Sequence, residues 1–391
     1  MSNERVLRLG EREIGDDSEC FVIAEIGHNH QGSVDTAKRM FRVAEYCGAD
    51  AVKLQKRDNR SLFTDELFNK PYENENSFGV TYGTHREALE FGREEYLELQ
   101  EYAHDLGLEF FATAFDPPSV DFLDEIDVPA YKVASADIRN LPLLRRLAGT
   151  GKPMILSTGG ATLDDVRHAY NVARSGTPDV AVLQCTAGYP AAWAEIDLRV
   201  IETYRANFPE AVIGLSSHDN GIAMALAGYM LGARVIEKHF TLDRTMRGSD
   251  HSFSLEPQGL QKMIRDLRRA RVALGDGQKK VYESEHLPLT KMAKKLVAAT
   301  DLEEGRILTP ADIAVKSPGD GCCPSNFDRF IGARLRRSVK RDGDLSLEMI
   351  EERAVEPERV AEIAAIDGTP AGAQVAEKSP DESIADSVLG G

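Results

Sequence analysis

Residues 212–239 read VIGLSSHDNGIAMALAGYMLGARVIEKH, two short apolar runs separated by a segment that suits a helix. The first run stops at Ser216 and His218, and the second stops at Glu237 and His239. This order predicts strand, helix and strand, and a parallel crossover places the carboxyl ends of both strands at one edge of a sheet. We therefore expect His218 and His239 to lie close together.

Two neighbouring histidines with carboxylates nearby indicate a divalent metal site. Imidazole is a common ligand of divalent metals, and carboxylates complete many such sites. A single histidine at a strand end more often satisfies a local hydrogen bond. Matched histidines at two adjacent strand ends favour the metal site over that alternative.

Short apolar strands alternate with helical segments along the first 275 residues, which indicates a parallel α/β fold. Eight strands in about 220 residues fit a (β/α)8 TIM barrel. The insertion at residues 56–92 would lie over the C-terminal face as a lid or an oligomer contact. We predict strands at Phe21–Glu25, Ala51–Gln55, Glu109–Thr113, Ala130–Val133, Met154–Ser157, Val180–Gln184, Val212–Ser216 and Val235–His239. Helices are predicted at Val34–Cys47, Glu94–Leu106, Leu163–Arg174, Ile222–Leu231 and Pro257–Leu274.

The pattern changes after the barrel segment. We predict a TIM-barrel domain at 1–275, a polar linker at 276–295, a small domain of short strands and tight turns at 296–353, and a tail at 354–391. The tail is rich in Ala, Pro, Gly and acidic residues, and this composition predicts disorder.

Composition excludes several classes of protein. The formal net charge of −17 argues against nucleic acid or an anionic membrane as the main partner. The charged N-terminus has no apolar leader segment, and no apolar run is long enough to span a bilayer. We therefore expect a soluble cytoplasmic protein. The five cysteines lack CxxC spacing, which argues against a zinc module or a disulfide framework.

Polar side chains stand at the carboxyl ends of the predicted strands, where barrel enzymes place their catalytic groups. Lys53 and Lys132 indicate a phosphate or carboxylate ligand, because a cation inside a buried parallel strand needs a partner. LSTGG, at 156–160, adds glycines and hydroxyls that suit a phosphate. The strand-end residues are Glu25, Lys53, Gln55, Thr113, Lys132, Ser135, Ser157, Thr158, Cys185, Thr186, Tyr189, Ser216, His218, Glu237, Lys238 and His239.

Eight motifs resemble those of the sialic acid synthases, in the same order. They are EIGHNHQG, VKLQK, YKVASAD, LSTGG, QCTAGYP, IGLSSHD, VIEKHFT and GSDHSFSLEP. Further along, DLEEGRILTPADIAVKSPGDG resembles the antifreeze-like (SAF) domain that follows the barrel in that family. The resemblance covers about residues 5–352 and leaves only the acidic tail outside it.

The resemblance implies a reaction and its substrates. Phosphoenolpyruvate would condense with the open-chain aldehyde of N-acetylmannosamine, or a related 2-acetamido sugar, to give a nine-carbon 2-keto acid and phosphate. It also implies a divalent metal, Mn²⁺ or Mg²⁺, on His218 and His239, and a domain-swapped homodimer. The implied phosphoenolpyruvate contacts are Lys53, Gln55, Thr113, Lys132, Ser135, Ser157 and Ser216. The implied sugar contacts are Glu25, Tyr189 and Asp250.

Three acids are the expected catalytic groups, namely Glu25, Glu237 and Asp250. A metal between the imidazoles would polarise the aldehyde, while the lysines neutralise phosphate and carboxylate. Glu237 is the expected base for the water that adds to carbon two, with Glu25 the alternative. The competing interpretation makes Glu237 a structural acid paired with Lys132 or Lys238.

The chain departs from the family pattern at two positions. Ala187 stands where relatives carry Asn or Ser, so one phosphoenolpyruvate contact is missing or moved. Ser317 stands where bacterial members often have an arginine that reaches the sugar across the dimer. The neighbouring Lys316 is the expected substitute.

Three other functions compete with this interpretation. Legionaminic and pseudaminic acid synthases use 2,4-diacetamido hexoses and share nearly all of the motifs, although TMRGSDHSFSLEP favours the N-acetylneuraminate type. His28 and His30 mimic the HxH of metal-dependent amidohydrolases, but Ser157 and Gln184 stand where that class needs two further histidines. A glycan- or ice-binding role for the C-terminal module would leave the converging lysines, histidines and acids without a purpose.

Overall fold

The computed structural model describes residues 5–351, and the chain divides into two compact units after Gly277. The first unit is a closed barrel of eight parallel strands with helices between them, so the predicted TIM barrel is confirmed. Neighbouring strands in the barrel follow chain order, and the last strand pairs with the first.

A β-hairpin precedes the barrel, a feature that the strand pattern does not predict. Its strands are β1 (Val6–Leu9) and β2 (Arg12–Gly15), and they pair antiparallel around a turn at Gly10, whose φ of 57° suits glycine. The backbone N–H of Arg8 donates to Asp179, which immediately precedes a barrel strand. The hairpin therefore lies against the N-terminal ends of the barrel strands.

The barrel strands run almost without exposed residues, as expected for parallel strands covered on both faces. All eight predicted strands occur, with ends that differ from the predicted ones by at most two residues. Their bounds are β3 Phe21–Gly27, β4 Ala51–Lys56, β5 Glu109–Ala114, β6 Tyr131–Val133, β7 Met154–Ser157, β8 Val180–Cys185, β9 Val212–Ser216 and β10 Val235–His239.

Local signals set the helix ends. In α1, the Ser33 side chain accepts from the N–H of Thr36, and Gly48 ends the helix in the left-handed region. Pro257 begins α11 at the position where its missing N–H costs nothing. The helices of this unit are α1 Val34–Cys47, α2 Asn59–Leu62, α3 Asp65–Asn69, α4 Tyr82–Glu87, α5 Arg93–Asp105, α6 Pro117–Glu125, α7 Leu141–Ala148, α8 Leu163–Gly176, α9 Val200–Asn207, α10 Ala223–Met230 and α11 Pro257–Leu274.

The insertion after β4 contains α2, α3 and α4 and lies against loops at the C-terminal end of the barrel. The backbone N–H of Asp58 donates to Asp116 at 2.8 Å, in the loop after β5. The N–H of Gly248 donates to Asn76 at 3.0 Å, which ties the insertion to the loop after β10. These contacts place the insertion beside the barrel mouth.

The second unit has its own small hydrophobic core. The segment predicted as a polar linker contains helix α12 (Glu283–Met292), which includes Pro288. Short antiparallel pairs follow, with β11 (Lys295–Ala298) beside β12 (Ile313–Lys316), helix α13 (Phe327–Phe330), and β13 (Arg334–Leu335) beside β14 (Ile350–Glu351). The core residues include Leu296, Leu302, Leu308, Phe330, Leu335, Leu345 and Ile350.

The predicted disordered tail, 354–391, lies outside the described residues. Within 5–351, no helix combines the length and the apolar character needed to cross a membrane.

Candidate active site at the barrel mouth

A cavity of about 580 Å³ opens at the C-terminal ends of the barrel strands. It brings together every residue to which the family resemblance assigns a role except Lys316. These residues are Glu25, Lys53, Gln55, Thr113, Lys132, Ser135, Ser157, Tyr189, Ser216, His218, Glu237, His239 and Asp250. Strand register explains the convergence, since Glu25 lies opposite both Lys53 and His239 in the barrel, and Thr113 lies opposite Gln55 and Lys132.

Lys53 is the centre of one charged group. Its Nζ donates to Thr113 Oγ1 at 2.9 Å and forms an ion pair with Glu25. Gln55 Nε2 donates to the other oxygen of Glu25 at 2.7 Å. All of these side chains are buried or nearly so, and a buried cation keeps its charge only beside such partners.

Lys132, on β6 and two strands from Lys53, is the centre of the second group. Its Nζ donates to Ser157 Oγ at 2.6 Å and lies 3.7 Å from Glu237 Oε1. That same carboxylate oxygen accepts from Ser216 Oγ at 3.1 Å. The pairing of Glu237 with Lys132, one of the two alternatives drawn from the sequence, is therefore present. Lys238 points elsewhere and pairs with Asp219 at 2.9 Å.

The two glutamates differ in their proton affinity. Burial raises the pKa of Glu25, Lys53 opposes that effect, and the charge of Glu237 raises the pKa further. Burial also acts to raise the pKa of Glu237, but Lys132 and Lys53 hold it below its ordinary value. Two carboxyl groups with pKa values pushed apart suit an acid and a base in one site. Glu25 therefore holds a proton more readily than Glu237 does.

Ser135 and Gly159 pack closely against each other in the lining of the cavity. The N–H of Gly159 donates to Ser135 Oγ at 2.9 Å. A β-carbon at residue 159 would lie 2.8 Å from that oxygen and 2.9 Å from the Ala187 side chain, so only glycine fits. Ala187, the first departure from the family pattern, lines the cavity at this point.

The two histidines meet as expected, with ring centroids 5.4 Å apart. His218 Nδ1 lies 2.9 Å from the carbonyl oxygen of Thr186. A carbonyl only accepts, so this nitrogen carries a proton. His239 Nδ1 lies 3.7 Å from Asp250 and has no hydrogen-bond partner among the described residues. Burial lowers the pKa of His239, which favours the neutral ring.

Aromatic side chains complete this side of the cavity. The Tyr189 ring lies 4.3 Å from that of His218, and Phe253 lies 5.0 Å from His239, between centroids. A β-carbon on Gly27 would come within 3.3 Å of Glu25, Gln55 and Asp250 alike, so these polar groups converge on one point.

The donor set is compatible with a divalent metal. Two imidazoles, one of them oriented by a backbone carbonyl, are typical of metal ligands and their supporting hydrogen bonds. Within residues 5–351, no group of three or more His, Cys, Asp and Glu side chains is arranged to hold an ion. A metal here would therefore depend on substrate or water for its remaining ligands.

Several cavity residues were not predicted from the sequence. They include Arg57 and Arg86 from the insertion, Arg139 after β6, and Phe115 and Phe253. Arg57 follows directly on the recognised VKLQK motif, which was a usable signal. Arg86 offers none, because the path of the insertion alone brings it to the mouth.

Other predicted residues lie away from the chemistry. His30 accepts from the N–H of Gly32 and stacks on Phe91, and its ring lies 6.2 Å from that of His28, so the HxH motif forms no ligand pair. Lys316 belongs to the second unit and pairs with Asp342. Its contact with the sugar, across a dimer, stays a prediction.

Comparison with known proteins identifies the family. The NeuB family matches residues 40–279, and the SAF domain matches residues 295–351. The chain belongs to the NeuB family. The resemblance to the sialic acid synthases, including the SAF domain, is therefore confirmed.

The alignments of this NeuB-family chain with its relatives cover almost the full length of those relatives. N-acetylneuraminate-9-phosphate synthase from Homo sapiens is 40% identical over 87% of this chain and 95% of its own. N,N'-diacetyllegionaminic acid synthase from Campylobacter jejuni is 35% identical, with 82% of this chain and 97% of its own covered. The crystal structure of an N-acetylneuraminic acid synthetase from Leptospira borgpetersenii in complex with citrate superposes with a TM-score of 0.63 at 33% identity, covering 73% of this chain and 95% of that one. The chain is thus an enzyme of the nonulosonic acid synthase family.

Proposed function

We propose that this protein condenses phosphoenolpyruvate with the open-chain aldehyde of N-acetylmannosamine to form an N-acetylneuraminate-type acid and phosphate. One observation carries the proposal. A single cavity holds two buried lysines with hydroxyl partners on one side, and two imidazoles with Asp250 and Tyr189 on the other. The first set suits a small dianion and the second an aldehyde and its hydroxyls.

The lysine side receives phosphoenolpyruvate. Lys53 and Lys132 neutralise its carboxylate and phosphate, and Ser135, Ser157, Ser216 and Thr113 supply short donors. Because these cations are buried and held by neighbouring strands, they are oriented before the substrate arrives. Gln55 fixes Glu25 at the boundary with the sugar side.

The reaction joins carbon three of the enol to the aldehyde carbon, with the π electrons of phosphoenolpyruvate forming the new bond. The aldehyde oxygen gains a proton, which Glu25 can carry because burial raises its pKa. The cationic centre left at carbon two faces the ionised Glu237, which stabilises it and accepts a proton from the water that adds there. The adduct then loses phosphate by cleavage of the bond between carbon two and the phosphate oxygen, while its new hydroxyl passes its proton to the departing phosphate and becomes the keto group.

His218 and His239 are the proposed ligands of a divalent metal, Mn²⁺ or Mg²⁺. Bound there, the ion would supply Lewis-acid polarisation of the aldehyde. Asp250, 3.7 Å from His239, holds the sugar hydroxyls beside it, and the Tyr189 ring packs over His218 to limit access of water.

Phosphate release tests the proposal. Metal-stripped protein receives manganese, phosphoenolpyruvate and one acceptor at a time: N-acetylmannosamine, its phosphate ester or a 2,4-diacetamido hexose. We expect phosphate and a nonulosonic acid in equal amounts, and labelled oxygen placed between carbon two and phosphorus should appear in the phosphate. Preference for the diacetamido sugar would change the assigned sugar. Absence of release with every acceptor would refute the synthase assignment.

A further inference from the structure

Several hydrogen-bond donors on the lysine side of the cavity are already engaged within the protein. Ser216 Oγ donates to Glu237 at 3.1 Å, and Ser135 Oγ donates to Cys185 Sγ at 3.4 Å. A hydroxyl group has a single proton to donate. Each serine must therefore give up an internal hydrogen bond before it can donate to a substrate.

The two lysines of this side are engaged in the same way. Lys132 Nζ donates to the carbonyl oxygen of the next residue at 2.9 Å and to Ser157 Oγ at 2.6 Å. Lys53 Nζ donates to Thr113 Oγ1 at 2.9 Å and pairs with Glu25. One N–H group is left on each ammonium, along with the hydroxyl protons of Ser157 and Thr113. These donors are few for a ligand with three phosphate oxygens and two carboxylate oxygens.

Arg139 lines the same cavity, and its side chain is not engaged. It lies in the loop between β6 and α7 and is exposed. Within residues 5–351, its guanidinium group makes no hydrogen bond and no ion pair. The other cations that line the cavity each donate at least one hydrogen bond, namely Lys53, Lys132, Arg57 and Arg86. Because a guanidinium group has five N–H donors, Arg139 has donors free for an anionic ligand.

The topology of the barrel assigns Arg139 to the phosphoenolpyruvate side of the cavity. It comes shortly after Ser135 in the loop that follows β6, and β6 lies four strands from β10 in either direction around the closed barrel. His239 on β10 is therefore on the opposite wall. Hydrogen bonds from Thr162 lower the pKa of Asp165 most, and the charge of Arg139 lowers it further, so the guanidinium group lies near the start of α8. That helix follows β7, another strand of the phosphoenolpyruvate side.

The wall beside this loop lacks a polar side chain that the family pattern supplies. A β-carbon at Gly159 would lie 2.8 Å from Ser135 Oγ and 2.9 Å from the Ala187 side chain, so the loops after β6, β7 and β8 meet there. Ala187 stands where the family pattern has Asn or Ser, and its methyl group cannot form a hydrogen bond. Another residue must supply the missing donor, and Arg139 is on the same loop as Ser135.

We propose that Arg139 binds the phosphate group of phosphoenolpyruvate, in place of the contact that Ala187 does not provide. This inference rests on the proposed function. A guanidinium group presents two parallel N–H groups to two phosphate oxygens, which an amide or a hydroxyl cannot do. Its charge also stabilises the phosphate dianion that departs when the bond between carbon two and oxygen breaks.

Kinetics of Arg139→Gln against the intact enzyme test the proposal. Loss of a charge-assisted hydrogen bond costs about 10–100-fold in affinity. We expect the KM for phosphoenolpyruvate to rise by about that factor, while the KM for the acceptor sugar changes by less than about threefold. Arg139→Lys should fall between the two proteins, because it keeps the charge and loses the planar pair of donors.

A matched control separates this effect from general loss of charge. Arg145 on α7 is also exposed, but it lies outside the cavity. Arg145→Gln should therefore leave both KM values unchanged.

A second substitution tests whether Arg139 replaces the contact at residue 187. Ala187→Asn, added to Arg139→Gln, should recover at least about threefold of the lost KM for phosphoenolpyruvate. The same change in the intact enzyme should have a smaller effect, because the two residues would then supply the same contact. Equal effects in both backgrounds would show that Arg139 does not replace the residue 187 contact.

Calorimetric titration with phosphoenolpyruvate and with inorganic phosphate identifies the group that Arg139 holds. Arg139→Gln should weaken the binding of both ligands. Weaker binding of phosphoenolpyruvate alone would assign the arginine to the carboxylate and overturn the proposal. An unchanged KM for phosphoenolpyruvate, or an equal rise in the KM for the sugar, would also overturn it. If no acceptor released phosphate, the proposed function would fail by itself, and the two titrations would still decide whether Arg139 binds phosphate.

Discussion

At the N-terminal end of the barrel, charged side chains form ion pairs. At the mouth, by contrast, several polar side chains lack a matching hydrogen-bond partner. Asp16 accepts from Arg5 at 2.9 Å and from Arg205 at 2.7 Å, which ties the hairpin segment to α9. At the mouth, His28 lies between two guanidinium groups. Glu237 Oε2 and His239 Nδ1 there lack hydrogen-bond partners among the described residues.

The difference separates residues that stabilise the fold from residues that bind substrate. The N-terminal end of the barrel, here called the lower end, also buries Leu7, Leu9 and Ile14 of the hairpin almost completely, so it contributes stability. The mouth keeps unpaired donors, acceptors and charges, which are costly in an empty protein and useful once a ligand supplies the partners. Substitutions at the two ends should therefore affect different measurements.

The largest expected effect is on turnover, at the mouth. His239→Ala and His218→Ala should each lower metal-dependent kcat/KM by roughly 10²–10⁴-fold, because Lewis-acid polarisation supplies several kcal/mol. The free energy of unfolding should change by less than about 2 kcal/mol, since His239 Nδ1 has no hydrogen bond to lose among the described residues and His218 loses the one from Nδ1 to the Thr186 carbonyl. Phosphate release and chemical denaturation measure the two quantities.

Exposed His104 on α5 provides the control, and His104→Ala should change neither quantity. Turnover that survived both histidine substitutions would show that these residues hold no catalytic metal.

The opposite result is expected at the lower end. Leu9→Ala in the hairpin should reduce the free energy of unfolding by about 2–5 kcal/mol, because the side chain is completely buried. Folded enzyme should keep its kcat and both KM values. Glu13→Ala, on the other strand of the hairpin and exposed, should stay within about 0.5 kcal/mol. A parallel loss of kcat at temperatures where the variant is folded would contradict the separation of the two ends.

A smaller change in stability is expected for Arg86, which contacts His28 together with Arg57 at the barrel mouth. Without ligand, Arg86→Gln should raise the free energy of unfolding by about 0.5–2 kcal/mol, the gain typical when a functional conflict is removed. Arg86 also contacts the Tyr82 hydroxyl at 3.0 Å, so the gain is a net value. Thermal unfolding in phosphate-free buffer measures it. A loss above about 1 kcal/mol would show that Arg86 acts as a structural residue.

The sequence predicted the mouth far better than the lower end. Apolar runs that stop at polar residues marked β9 and β10, and strand register then made His218 and His239 neighbours. No such periodicity marks the hairpin, because β1 and β2 are short and their partners, such as Asp179 and Arg205, come from distant loops and helices. Arg86 was missed for the same reason.

The smallest expected effect concerns Asp16 and depends on pH. Burial acts to raise the pKa of Asp16, but hydrogen bonds and charges from Arg205 and Arg5 lower it below the ordinary value. A carboxyl group with a lowered folded-state pKa stabilises the protein above its unfolded pKa of about 3.9, and that stabilisation is lost as pH falls through the lower folded value.

Asp16→Asn should therefore cost about 1 kcal/mol or less at neutral pH, since the carboxylate is about one-third exposed. Denaturation of both proteins from pH 7 to pH 3 should show a difference that is constant above about pH 5 and narrows below about pH 4. If the difference instead widened in acid, the lowered pKa would be wrong, and the lower end would not owe its stability to satisfied charges.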